Sequence, residues 1–190
     1  LHPHNFAVNV LQGNYKGFVD FYAVFPFKFP FGFLLAGLYS IFGSGFLVSK
    51  LFNVLMAVIL TLLLYKGGKT LYNEKTGRIA AILCALWPSH IMYVSVNASE
   101  HVFLVLFTLA VLLMLWFFKR AASEDFSLKS GNLLLVFLGL FTALAQLIRP
   151  VAMVLLPVFA VYLFLFADSR KSFGPQLILK LKSVFLVLIV

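Results

Sequence analysis

The feature that most constrains this chain is the run "FLVSKLFNVLMAVILTLLLY", Phe46 to Tyr65. A stretch of about 20 predominantly apolar residues matches the thickness of a bilayer's hydrocarbon core. It is the first of several. Further runs extend from about Ile79 to Tyr93, Glu100 to Phe118, Leu133 to Ile148 and Val151 to Ala167, and a sixth begins near Ser183. Lipid offers the backbone no hydrogen-bond partner, so each run must be helical. The composition agrees: 63% of residues are hydrophobic and only 11% charged, against about half and a quarter in soluble domains. The expected fold is all-α, a polytopic transmembrane helical bundle.

The formal charge of +9 does not call for a nucleic-acid partner. Lys66, Lys69, Lys75 and Arg78 fall in one inter-run segment. Lys119, Arg120 and Lys129 fall in a second, and Arg170, Lys171, Lys180 and Lys182 in a third. These segments hold eleven of the fifteen Lys and Arg residues and alternate so as to share one side of the membrane. The positive-inside rule makes that side cytoplasmic. The other face then receives the N-terminal segment, the turn from Trp87 to Glu100 and the turn from Leu147 to Val151. Membrane lipids are the expected surroundings. The lone Cys84 lies inside an apolar run and implies no disulfide framework or metal cluster.

Two domains are expected. Residues 1–45 form a first outer loop, and residues 46–190 form the transmembrane domain of five spans and the start of a sixth. The loop is rich in aromatic residues, Gly and Pro. Its apolar stretch from about Phe27 to Phe42 is short and ends at Gly43, which suits an interfacial helix on the outer leaflet. The alternative is a short, glycine-weakened span. The chain begins at Leu1 and stops within an apolar run, so it reads as an internal piece of a longer protein.

Few residues can carry chemistry. Glu100 opens a span, where an ionised group costs free energy unless it meets water or a polar cavity. Read alone, it is equally a first-turn carboxylate that complements the helix dipole, with Ser99 as cap. His101 beside it could carry a proton or ligate a metal, or simply sit at the interface. Arg149 breaks the charge asymmetry at a tight outer turn. A guanidinium there can grip phosphate in bidentate fashion, or snorkel while Pro150 opens the next helix. Tyr22 and Lys28 lie in "YAVFPFKFPFGF", a segment for the membrane surface that sets a cation near lipid phosphate. His2 and His4 have a metal-compatible spacing. Asn97-Ala98-Ser99 forms a glycosylation sequon, discounted for its closeness to the membrane.

The order of these pieces resembles a known family, the GT-C membrane glycosyltransferases of the dolichyl-phosphate-mannose–protein mannosyltransferase and aminoarabinose–lipid A transferase type. "AVNVLQGNY" (Ala7 to Tyr15), Tyr22 and "FPFKFPFGFLLAGLYSIFG" (Phe25 to Gly43) follow the family's first outer loop. "TGRIAAILCALWPSHIMYVS" fits its next cytoplasmic turn and span, with Pro88 in place. "SEHVFLVLF" matches an acidic residue opening a span, with His101 where the family usually has Pro. "GLFTALAQLIRP" matches the later turn, with Ala143 where Gly is common.

The resemblance implies inverting transfer of a sugar from a polyprenyl-phosphate-linked donor to a lipid, glycan or protein acceptor on the outer face. The membrane would be the plasma membrane of a bacterium or archaeon. Glu100, with His101, would orient acceptor or metal. Arg149, with Lys28 and Tyr22, would meet the donor and its phosphate. The family's principal catalytic carboxylate falls at or before residue 1, and a divalent metal is left open as cofactor. The rival function is a flippase-, ligase- or transporter-like protein that handles lipid-linked saccharides without transferase chemistry.

Overall fold

A computed structural model describes residues 2–14, 19–96, 98–121 and 128–165. Asn97, Arg170, Lys171, Lys180, Lys182 and the expected sixth span lie outside the described residues, as does the side chain of His2. All regular structure among the described residues is helical. The elements are α1 (His2–Leu11), α2 (Val19–Val24), a 3-10 turn (Pro26–Lys28), α3 (Phe29–Phe42), α4 (Phe46–Leu71), α5 (Glu74–Ala85), α6 (Pro88–Val94), α7 (Glu100–Ala121), α8 (Leu128–Ile148), a second 3-10 turn (Pro150–Val154) and α9 (Leu155–Leu165). Two of them, α4 and α7, are long and apolar enough to cross a membrane, and α5 with α6 makes a third if the bent pair counts as one span.

By packing, the described chain divides into two compact units. One comprises Leu1–Val105 with Leu147–Pro150, the other Leu106–Gln146 with Val151–Val190.

In the first unit, α3 packs on α1 through Phe31, Gly32, Leu35, Ala36 and Tyr39. Gly32 is needed there, because a Cβ would run into the Phe6 ring. Gly43 closes α3 at φ 87°, a left-handed conformation that suits glycine. The apolar stretch Pro26–Phe42 is shorter than a span. It leaves Phe29, Phe33, Ile41 and Phe42 exposed.

Helix α4 is built as a lipid-facing helix. Leu47, Leu51, Val54, Leu55, Val58 and Leu62 form an exposed stripe, while Ser49 and Asn53 are buried at 1% exposure each. Polar residues inside and apolar residues outside invert the soluble pattern, as expected where lipid replaces water and small or polar side chains mediate helix contacts.

Helices α4 and α5 then form a tight hairpin. The segment "KGGKTLYNEKTGR" reads as a loop, but α4 continues to Leu71 and α5 starts at Glu74. Gly68 and Gly77 are consumed by a close helix crossing instead: a Cβ on Gly68 would lie 2.8 Å from the Gly77 Cα. Asn73 caps α5, its side-chain oxygen accepting from the Thr76 N–H at 2.9 Å. Glu74 in the first turn pairs with Arg78 at 2.8 Å and Lys69 at 3.3 Å.

The apolar run from Ile79 to Tyr93 is not one helix. It breaks at Trp87, and α5 and α6 meet at 56°. Pro88 explains the break: it has no N–H, and it holds Trp87 in an extended conformation (φ −67°, ψ 117°).

The second unit packs Ala110, Met114 and Phe117 of α7 against Leu135 and Leu138 of α8 and Leu155 and Phe159 of α9. The run after Arg149 starts as a 3-10 turn and becomes α-helical at Leu155. Pro157 is tolerated because it sits in the first turn of α9, where the N–H has no intrahelical partner.

Candidate functional site

Glu100 and Arg149 meet, although 49 residues separate them. Glu100 is the first residue of α7. Arg149 precedes Pro150 in the turn after α8, and both belong to the first packing unit. The Arg149 Nη2 donates to Glu100 Oε1 in an ion pair. The guanidinium lies 5.9 Å from the centre of the Phe103 ring, one turn further along α7. Such an arginine is held on two sides, by charge and by an aromatic face. Its side chain is 40% exposed, that of Glu100 24%.

The segment leading to Glu100 is pinned from below. Asn53, buried in α4, donates its Nδ2–H to the Val96 carbonyl at 2.8 Å. One side-chain amide on a membrane helix thus fixes the turn that delivers the carboxylate.

The other carboxylate oxygen, Glu100 Oε2, is buried with no hydrogen-bond partner. Glu100 lines an open groove of about 500 Å³ together with His101, His90, Ser89 and Tyr93. The remaining wall is apolar, formed by Leu60, Leu64, Leu83 and Leu104. The helix register orders these groups. Leu64 and Ala80 lie between the Gly68–Gly77 crossing and the Thr61–Cys84 contact at 3.8 Å. They therefore lie toward the lysine-bearing turn, and His90, Glu100 and His101 toward the opposite end. The groove is largely apolar, a trough along α4 and α5, with the polar side chains gathered where α6 and α7 begin.

His101 is fully buried, and its ring lies 4.6 Å from that of His90. The sequence alone does not mark His90. Inside one continuous helix its direction is undefined, and only the break at Pro88 turns it toward His101. Pro88 in mid-run is the signal that could have found it.

The other expected site residues sit elsewhere. Tyr22 is buried against Phe6 and Phe29, at ring distances of 4.5 and 5.3 Å, and burial pushes its phenol above the ordinary value of 10.0. Lys28 lies over the Phe25 ring at 4.9 Å. Neither lines the groove. His4 is packed, with Nδ1 bonded to the Tyr39 hydroxyl at 2.8 Å and its ring stacked on Phe46 at 3.8 Å. Among the described residues, no group of three or more His, Cys, Asp or Glu side chains is arranged to hold a metal ion.

These features define an integral membrane protein in which a Glu100–Arg149 ion pair stands beside a largely apolar groove. The family model for dolichyl-phosphate-mannose-protein mannosyltransferase matches residues 29–190, and the chain belongs to that family. Membership makes it a membrane glycosyltransferase of the GT-C type. The matched region contains Glu100, His101 and Arg149, whereas Tyr22 and Lys28 precede it. No curated protein and no solved structure matches the chain.

Proposed function

We propose that the protein transfers a sugar from a polyprenyl-phosphate-linked donor to an acceptor on the outer face of the membrane. The reading rests on Glu100, which lines the polar end of a groove whose other walls are apolar and holds Arg149 beside it through the ion pair. A polyprenyl donor has the same two-part chemistry, an isoprenoid chain and a charged head. Arg149 has five N–H donors in a planar fork, and those not engaged by Glu100 suit the phosphate. Glu100 holds the guanidinium in place, and its free oxygen orients the acceptor.

In the reaction the acceptor oxygen bonds to the anomeric carbon and loses its proton to a carboxylate base. The bond from that carbon to the phosphate oxygen breaks, and polyprenyl phosphate leaves with its charge stabilised by the cation. Lys28, on the segment before the matched region, would receive the donor's head from the membrane surface, while Tyr22, buried against Phe6 and Phe29, would hold that segment in place.

Topologically, residues 1–45 lie on the outer side, with α3 at the interface, and residues 46–190 form a multi-pass domain in a bacterial or archaeal plasma membrane. The lysine-bearing turn between α4 and α5 faces the cytoplasm.

The test is reconstitution of the membrane-embedded protein in vesicles with a polyprenyl-phosphate sugar labelled in the sugar. Labelled product should form, and Arg149→Ala should raise the donor KM more than it lowers kcat. A specific observation favours one rival: the 56° break between α5 and α6 resembles the broken helices of transporters. Movement of the labelled lipid across the vesicle without product would establish that rival instead.

A further inference from the structure

At one end of the groove Glu100 Oε2 and His90 Nε2 are buried with no hydrogen-bond partner, and the His101 ring beside them reaches the His90 backbone. All three residues line the same groove, and His101 is fully buried. A buried polar atom left unpaired costs about 1–3 kcal/mol, so a pair of them beside an open groove is arranged for an occupant.

The donor and acceptor pattern restricts that occupant. A carboxylate oxygen only accepts, while a neutral imidazole offers one donor and one acceptor. A phosphate brings acceptors alone and would oppose the Glu100 charge. A hydroxyl both donates and accepts, so it can give its hydrogen to Glu100 Oε2 and receive one from an imidazole N–H. Two imidazoles 4.6 Å apart beside a carboxylate suit a group with several hydroxyls close together. Trp87 and Tyr93, which also line the groove, offer flat apolar faces to the C–H side of such a ring.

From this juxtaposition we propose that His90, His101 and the free oxygen of Glu100 form a carbohydrate-hydroxyl subsite, separate from the phosphate role of Arg149. The subsite deepens the transferase reading and rests on it for the sugar's source, which is either the donor's hexose or a glycan acceptor. His90 and His101 are then residues that touch substrate, and they select hydroxylated ligands over bare lipid phosphate.

The test uses the membrane-embedded protein in phosphatidylcholine vesicles. The probes are a dodecyl glucoside with a diazirine in its alkyl chain, the matching dodecyl alcohol and the matching dodecyl phosphate. Photolabelling of the peptides carrying Leu60 and Leu83 is read by mass spectrometry. The glucoside should label at least about tenfold more than the alcohol, since two hydrogen bonds of about 1 kcal/mol each amount to more than a factor of ten. His90→Phe and His101→Phe should each cut glucoside labelling several-fold and leave dodecyl phosphate labelling unchanged. His101→Gln, which keeps a hydrogen-bonding amide, should recover part of the loss and shows that the fold is intact. Displacement of the glucoside by the polyprenyl-phosphate hexose identifies the donor's sugar, and displacement by a glycopeptide identifies the acceptor. Equal labelling by the alcohol, unchanged labelling in both Phe variants, or displacement by neither competitor overturns the subsite. Glucoside labelling that obeys the His substitutions in a protein without transfer activity sinks the transferase reading and leaves the subsite standing.

Discussion

Adding a single methyl group at Gly77 should loosen the α4–α5 hairpin. A Cβ there would stand 2.5 Å from the Tyr65 carbonyl oxygen and 2.9 Å from the Lys69 backbone nitrogen. Both are main-chain atoms of a helix, so no rotamer change can relieve the contact and the helices must move apart. Overpacking of this kind costs about 1–3 kcal/mol, and two backbone contacts place Gly77→Ala toward the upper end. Alanine's better helix propensity returns about 1 kcal/mol, leaving a net loss of about 1–2 kcal/mol. Gly37 is the control. It lies mid-way along α3, and a Cβ there meets nothing within 4 Å. Gly37→Ala should therefore gain about 0.5–1 kcal/mol. Thermal unfolding in detergent would read the pair at about 2–4 °C per kcal/mol for a chain this long, with Gly77→Ala melting lower than wild type and Gly37→Ala higher. A Gly77→Ala protein as stable as Gly37→Ala would refute the close crossing.

Cysteines placed at Lys69 and Ser99 should react with a membrane-impermeant thiol reagent from opposite sides of sealed vesicles, and reaction from the same side would invert the topology. Burial holds His4 below its ordinary value of 6.5. The unfolded chain therefore binds the proton more readily, and the α1–α3 contact should be stable above about pH 6.5 and weaken as pH falls below it. His4→Phe should flatten that dependence in a pH series of melting curves. Asn53→Leu removes the donor to the Val96 carbonyl and should lower transfer activity more than it lowers the melting temperature, because it frees the turn carrying Glu100.

Much of the fold is legible because the bilayer sets one length scale. The run from Phe46 predicts α4, Gly43 marks the end of α3, and Glu100 begins α7. What escapes is direction. In a soluble helix the polar face announces itself, but here Leu47 and Leu60 are equally apolar and only one is exposed. The same ambiguity hides His90, whose orientation depends on the break at Pro88. Gly68 and Gly77 resemble turn residues because the sequence does not show that another helix passes this close to each. The meeting of Glu100 with Arg149 is foreshadowed by two charges at corresponding ends of spans. The groove beside them is not, because it depends on how α4, α5, α6 and α7 are placed together.

The most direct test of the central claim is a double-mutant cycle on sugar transfer from the polyprenyl-phosphate donor, using wild type, Glu100→Gln, Arg149→Lys and the double variant in vesicles. Glutamine keeps the shape of Glu100 but removes its charge, and an ammonium cannot reproduce the planar fork. A hydrogen bond between charged groups contributes about 1.5–3 kcal/mol, toward the lower end for a pair this exposed, so each single substitution should lower kcat/KM by about tenfold or more. Because both act on one unit, the double variant should be little worse than the weaker single variant. A Glu100→Gln protein that transfers sugar at the wild-type rate would contradict the account and leave Glu100 as a helix-start residue only.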